Sequence, residues 1–235
     1  MKGVTMRLKF IGLGGIGSLT LQFPLLTFLS YRYPDTTIYL YDHDRVEERN
    51  LERQHYHRIG GKAEVTKERL SRDFQKLRYR ANDQRVTPAN VFVTVKEYDI
   101  VFLSVDNHPT RKLVSRRCEE LCNVLLISGG NEYHDGDVNI FWRKNGENMT
   151  LPLTNDFLPE IRDAQEMDIH GPACHELAAT TQPQLVLTNN AVASTMLNVF
   201  YAYLQGKLNY DRVCIDIMTG NARAYHYTRD MRRVG

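Results

Sequence analysis

Cysteine is scarce in this chain of 235 residues: there are four, at Cys118, Cys122, Cys174 and Cys214. No two are spaced as Cys-x-x-Cys. Neither a disulfide framework nor a structural zinc site is therefore expected, and a reducing compartment is implied. Long apolar runs are missing as well. The most apolar long stretch, 185–204, carries Asn189, Asn190 and Asn198, which a membrane span avoids. The opening MKGVTMRLKF has neither the apolar core of a leader nor a cleavage signal. Nor does one charge dominate: 30 Lys and Arg face 28 Asp and Glu, for a net charge of +2. That balance speaks against nucleic acid or a membrane surface as partner. A soluble cytoplasmic protein is the expectation. What the chain does have is 42% hydrophobic residues, enough for a real core.

Apolar runs alternate with helical stretches through the first half. Residues 7–11 and 37–41 read as strands, the second rich in Thr, Ile and Tyr. A helix is expected over 16–31, kinked or broken at Pro24. A charged helical zone follows over 46–80, interrupted at Gly60-Gly61. Residues 84–96 fit either a strand, from the alternation of Val91, Val93 and Val95, or a short helix after Pro88. A strand at 99–105, a helix at 110–122 and a parallel strand at 124–128 complete a β-α-β series. Gly136 then separates two β-like segments of a hairpin, 131–134 and 138–143. A loop over 151–172, a long helix over 182–205 ending at Gly206, and strands at 212–218 and 223–228 close the chain. The expected fold is α/β: a Rossmann-like, mostly parallel sheet flanked by helices, whose C-terminal part adds antiparallel strands and a long helix. One domain is expected, with a nucleotide-binding core over about 1–130 and an extension over about 131–235.

The first strand runs into Gly12-Leu13-Gly14-Gly15-Ile16-Gly17-Ser18. Gly12, Gly14 and Gly17 satisfy G-x-G-x-x-G between a strand and a helix, where backbone N–H groups can approach phosphates. Asp42 stands at the end of the second strand, where a carboxylate can accept hydrogen bonds from ribose hydroxyls. No Gly-Lys-Ser/Thr follows the loop, so it suits a mononucleotide or a dinucleotide without distinguishing them. Just beyond Asp42, Asn50, Arg53 and Gln54 lie at i, i+3 and i+4, one face of a helix, and a planar Arg suits bidentate phosphate contact.

Three blocks together, Gly12 to Ser18, Asp42-His43-Asp44-Arg45-Val46 and Asn50-Leu51-Glu52-Arg53-Gln54, resemble the ThiF/MoeB family of adenylating enzymes, relatives of ubiquitin-activating enzymes. Ser104-Val105-Asp106-Asn107 followed by Arg111 resembles that family's Asp-Asn-x-x-x-Arg element. The resemblance implies an ATP site. Gly12, Gly14, Gly15 and Gly17 would form its loop, with Asp42 on the ribose and Asp44 beside it. Asn50, Arg53 and Gln54 would face the phosphates, Lys62 would be a second phosphate-binding cation, and Asp106 would hold Mg2+. Arg53, Lys62 and Asp106 would then be the catalytic charges. The implied reaction is attack of a carboxylate on the ATP α-phosphate, with pyrophosphate leaving. The substrate implied is a ubiquitin-like or sulfur-carrier protein with a C-terminal glycine; a homodimer and a conjugating-enzyme partner are further implications. Plainer readings stand beside these. Arg53 can pair with Glu47 or Glu48, Lys62 can be a solvated surface charge, and Asp106-Asn107 can be a turn with an Asx cap. Arg111 is expected to be structural.

The chain also departs from the family. The paired Cys-x-x-Cys zinc motifs are absent. The family's N-terminal arginine, which reaches a neighbouring subunit's ATP, has no counterpart, since only eleven residues precede Gly12 and Arg7 falls inside a strand. Cys118 and Cys122 are expected to pack in a core-facing helix, and Cys214 within a strand. Cys174, in Gly171-Pro172-Ala173-Cys174-His175-Glu176, would start a helix whose field favours thiolate. Cys174 is therefore a candidate acyl acceptor, against the alternative of a small packing residue. Adenylation of another peptide or small acid, an NAD(P) oxidoreductase and a catalytically inactive nucleotide-binding scaffold remain as alternatives.

Overall fold

In the computed structural model, residues 5–48, 56–165 and 185–227 are described. In chain order the elements are β1 (Arg7–Ile11), α1 (Gly15–Thr20), α2 (Phe23–Arg32), β2 (Thr37–Tyr41), β3 (Arg45–Val46), β4 (Gly60–Gly61), α3 (Lys62–Asp73), β5 (Arg78–Asn82), α4 (Val91–Thr94), β6 (Asp99–Leu103), α5 (His108–Glu119), β7 (Val124–Asn131), β8 (Asp135–Lys144), β9 (Glu147–Asn148), α6 (Pro159–Arg162), α7 (Val186–Leu204), β10 (Arg212–Asp216) and β11 (Asn221–Tyr225). The main sheet has the order β11-β10-β8-β7-β6-β1-β2-β5, with β9 on β8, and β3 pairs with β4 apart from it. β5, β2, β1, β6 and β7 run parallel. From β7 onward the pairing turns antiparallel through β8, β10 and β11.

Alternate strand residues feed two apolar layers. Phe10, Ile38, Leu40, Phe102 and Ile127 join Leu26 and Leu29 of α2 and Val192, Met196 and Phe200 of α7 on one face. Val101, Leu103 and Leu126 join Val114 and Cys118 of α5 and Ile161 of α6 on the other. Phe10 stacks on Phe102 with ring centroids 4.6 Å apart, and Phe200 meets Phe102 edge-on at 5.6 Å. With both faces covered, β6 and β7 read as near-continuous apolar runs, while β1 carries a buried Lys9 whose ammonium lies 3.7 Å from Asp99. The parallel order leaves the C-terminal ends of β1, β2 and β6 side by side, which is where ligands sit in open α/β sheets.

β1 and β2 match their predicted spans, and the first helix is broken before Pro24, which stands in the first turn of α2. The charged zone is different: helix ends at Asp73, and residues 78–82 form a strand. Tyr79 is buried between exposed Arg78 and Arg80, a period of two that their charge hides, and such charge suits an edge strand. Residues 91–94 are helical, so the alternating valines do not make a strand. The hairpin exists, but its turn lies at 132–134, where Glu132 N–H donates to the Asp135 carbonyl at 2.8 Å. Gly136 sits inside β8, opposite Asn131. Within the expected loop, 159–162 form a turn of helix. Cys118 is buried, but Cys122 lies beyond the end of α5 and is exposed, contrary to the packing role expected for it. Among the described residues no helix is long and apolar enough to cross a membrane.

Candidate active site

β1 ends at Ile11, and the chain must turn at once to enter α1. Gly12 takes φ +88°, open to glycine, and a Cβ there would stand 2.6 Å from the Ser104 carbonyl oxygen after β6. Gly12 N–H donates to the Tyr41 carbonyl at 2.9 Å, and Ser104 N–H to the Ile11 carbonyl at 2.8 Å, so the loop is seated between β2 and β6. Gly17 approaches so closely that a Cβ would lie 2.0 Å from the Gly12 carbonyl oxygen. Gly14 differs: nothing lies within 4 Å of where its side chain would be, so the middle of the loop faces open space.

Asp42 follows β2 and turns back onto this loop. One carboxylate oxygen accepts from Leu13 N–H at 2.7 Å and the other from Asp44 N–H at 2.8 Å. The residue is only 8% exposed. Burial pushes its pKa up, against the pull of Lys62 and the two N–H donors. Asp44 has the opposite balance. Its side chain keeps 49% exposure and its Oδ2 accepts from Lys62 Nζ at 2.9 Å. Burial raises its pKa, but the charge and hydrogen bond of Lys62 outweigh that and leave the carboxyl below its ordinary value. Lys62, at the first position of α3, is 7% exposed, which removes the reading of a solvated surface charge. Its backbone N–H also donates to the Asp44 carbonyl at 2.9 Å. Tyr56, which sequence reasoning missed, donates its hydroxyl to the Leu13 carbonyl at 2.5 Å and is buried. Burial, then the Asp42 carboxylate, pushes its pKa far up, so it stays a neutral donor.

Asp106 lies just past β6, three residues after Leu103, and is exposed. Asn107 caps α5, its Oδ1 accepting from Thr110 N–H at 2.9 Å, so the Asx-cap reading holds for Asn107 while Asp106 stays outside the cap. Arg111 is structural, as expected. It is buried and donates to Ser128 Oγ at 2.7 Å and to the carbonyls of Val105 and Gly129 at 2.8 and 2.7 Å, tying the loop that carries Asp106 to β7. Asp42, His43 and Asp44 also offer ligand atoms within 4.8 Å of one another. Each Asp42 oxygen accepts one backbone N–H bond, and Asp44 Oδ2 pairs with Lys62. The structure therefore brings Gly12, Gly14, Gly15, Gly17, Asp42, Asp44 and Lys62 together at the strand ends. Asn50, Arg53, Gln54 and Cys174 lie outside the described residues.

The ThiF family model matches residues 4–229, and the chain belongs to this family. It is similar to the probable adenylyltransferase/sulfurtransferase MoeZ of Mycobacterium tuberculosis, 24% identical over 219 residues, covering 89% of this chain and 54% of MoeZ. It is also 30% identical over 140 residues to the adenylyltransferase and sulfurtransferase MOCS3 of Drosophila sechellia, covering 58% of this chain and 29% of that protein. The chain thus spans about half the length of MoeZ or less than a third of MOCS3. Among solved structures, E. coli MccB crystallised with ATP superposes with a TM-score of 0.68 at 19% identity, covering 94% of this chain and 63% of MccB. That likeness defines the fold: a Rossmann-like sheet with an antiparallel C-terminal extension.

Proposed function

We propose that this chain is an ATP-dependent adenylyltransferase, acting as one adenylation domain on the C-terminal carboxylate of a protein or peptide. The observation that carries this reading is an open glycine loop locked to a buried Asp42, with a buried Lys62 held beside it through Asp44. The names of MoeZ and MOCS3 as adenylyltransferases, and the ATP crystallised with MccB, support ATP over NAD. A ubiquitin-like or sulfur-carrier protein ending in glycine is the proposed substrate; MccB crystallised with the peptide MccA favours an alternative of a shorter peptide.

The residues present suit the nucleotide. Asp42 is oriented by two N–H donors before any ribose hydroxyl arrives, which spares reorganisation on binding. The Lys62 ammonium has three donors, and one serves Asp44. Asp106, exposed at a strand end, offers a carboxylate to Mg2+, which would offset phosphate charge when bound. Asn50, Arg53 and Gln54 are assigned to the phosphates by family resemblance. The substrate carboxylate oxygen would bond to the α-phosphorus as the bond to pyrophosphate breaks, and positioning by these charges suffices for that step. Cys174 would then accept the acyl group as a thioester, with AMP leaving. A homodimer and a conjugating-enzyme partner belong to the same proposal.

The test is ATP–pyrophosphate exchange with candidate carrier proteins and C-terminal peptides. Wild type should exchange with ATP and Mg2+ and be indifferent to NAD. Arg53→Ala and Asp106→Ala should each lower exchange roughly 100-fold, the scale for losing one charge stabiliser. Exchange near wild type in both variants, or tight NAD binding without ATP binding, would sink the reading.

A further inference from the structure

Asn189 sits in the first turn of α7 and is 5% exposed. Its Oδ1 has no hydrogen-bond partner among the described residues. Its neighbour Thr188, fully buried, spends its hydroxyl on the Tyr133 carbonyl at 2.6 Å. The Asn189 side chain is aimed at the glycine loop. A Cβ on Gly15 would stand 2.4 Å from its Nδ2, 3.0 Å from its Cγ and 3.3 Å from its Oδ1. A side chain on Gly15 would have to displace this amide from a distant helix. That helix packs on the loop's own helix, with Thr20 Oγ1 4.0 Å from the Met196 sulfur, and on the apolar layer through Val192, Met196 and Phe200.

Buried amides almost always carry hydrogen bonds. This one leaves its carbonyl oxygen without a partner, packed against Gly15 of the loop. With no bond holding Oδ1, a half-turn about the last side-chain torsion exchanges the oxygen for the NH2 donor. We propose that Asn189 is a phosphate-binding residue, its side-chain NH2 donating to a phosphate oxygen of the nucleotide on the glycine loop. The inference rests on the nucleotide reading above and adds a contact supplied from the C-terminal half of the chain. A neutral donor suits this place, since a buried cation would cost desolvation whenever the nucleotide is absent.

The experiment is calorimetric titration of the full chain with ATP and with adenosine. Asn189→Ala should weaken ATP binding roughly tenfold, the scale for one hydrogen bond to a charged group, and leave adenosine within about twofold. Asn189→Asp keeps the shape and turns the donor into an anion, so ATP binding should fall roughly 100-fold with adenosine again unchanged. In wild type carrying 15N-asparagine, the side-chain NH2 pair missing from the Asp variant should shift with ATP and not with adenosine. This measurement stands even where the alanine variant fails to fold. Unchanged ATP affinity in the Asp variant, equal loss of ATP and adenosine, or an unmoved NH2 pair would each overturn the assignment of Asn189 alone. Wild type that binds no ATP would overturn the nucleotide reading itself.

Discussion

Asp42 and Asp44 are two residues apart and respond to their surroundings in opposite ways. Asp42 is buried with backbone donors on both oxygens, and burial dominates. Asp44 is half exposed, and Lys62 dominates. A carboxyl whose folded pKa is depressed stabilises the fold above its ordinary value of 3.8, and that contribution is lost as pH falls through the lower folded value. Asp44→Asn should therefore cost stability near neutral pH, about 1 kcal/mol or less given its exposure, and less at about pH 2. Urea denaturation of both proteins at the two pH values checks this; a cost that is equal at both would show the Lys62 pair to be without effect. Asp42 was legible because an acid at a strand end after a glycine loop has a known use. Tyr56 and Asn189 were not, since nothing in their local sequence says that they fold back onto Leu13 and Gly15.

At the scale of elements, α7 is pressed onto the strand pair β7–β8 where both strands carry glycine. A Cβ on Gly129 would stand 2.5 Å from the Met196 sulfur, and one on Gly136 would stand 2.3 Å from Val192 Cγ2. Gly136 does not make the hairpin turn that its sequence position suggests; it admits a helix. Gly136→Ala should destabilise by about 1–3 kcal/mol through overpacking. Val192→Ala should remove the obstructing methyl, so the double variant should be more stable than the sum of the single effects predicts. Strict additivity in thermal melts would mean that α7 does not bear on Gly136. The charged strand β5 was misread for a related reason: its single buried residue, Tyr79, gives too little apolar signal for a period of two to stand out.

For the molecule as a whole, the described thiols narrow the search for an acyl acceptor. Cys118 is buried, and burial pushes its pKa far up. Cys214 is half-buried on β10, and burial raises its pKa too. Both are poor nucleophiles, because the thiolate is the attacking form. Cys174→Ala should leave pyrophosphate exchange nearly intact and abolish a reductant-sensitive adduct with the substrate on a non-reducing gel. An adduct that persists would move the role to Cys122, the exposed thiol among the described cysteines.

The sequence by itself determined four of the five parallel strands, β1, β2, β6 and β7, the antiparallel character of the C-terminal part, and the glycine loop with Asp42 at its side. These are local signals: apolar runs of strand length, glycines at fixed offsets, an acid at a strand end. Tertiary structure alone decided the rest. Lys62 is buried because α3 begins against Asp44, not because its neighbours are apolar. The antiparallel half took its register from an eight-pair ladder between β7 and β8 that no turn residue announced. Asn189 reaches Gly15 across 174 residues, the difference of their positions. Periodicity and spacing report on neighbours within a turn or a strand, while such contacts are set by how whole elements pack.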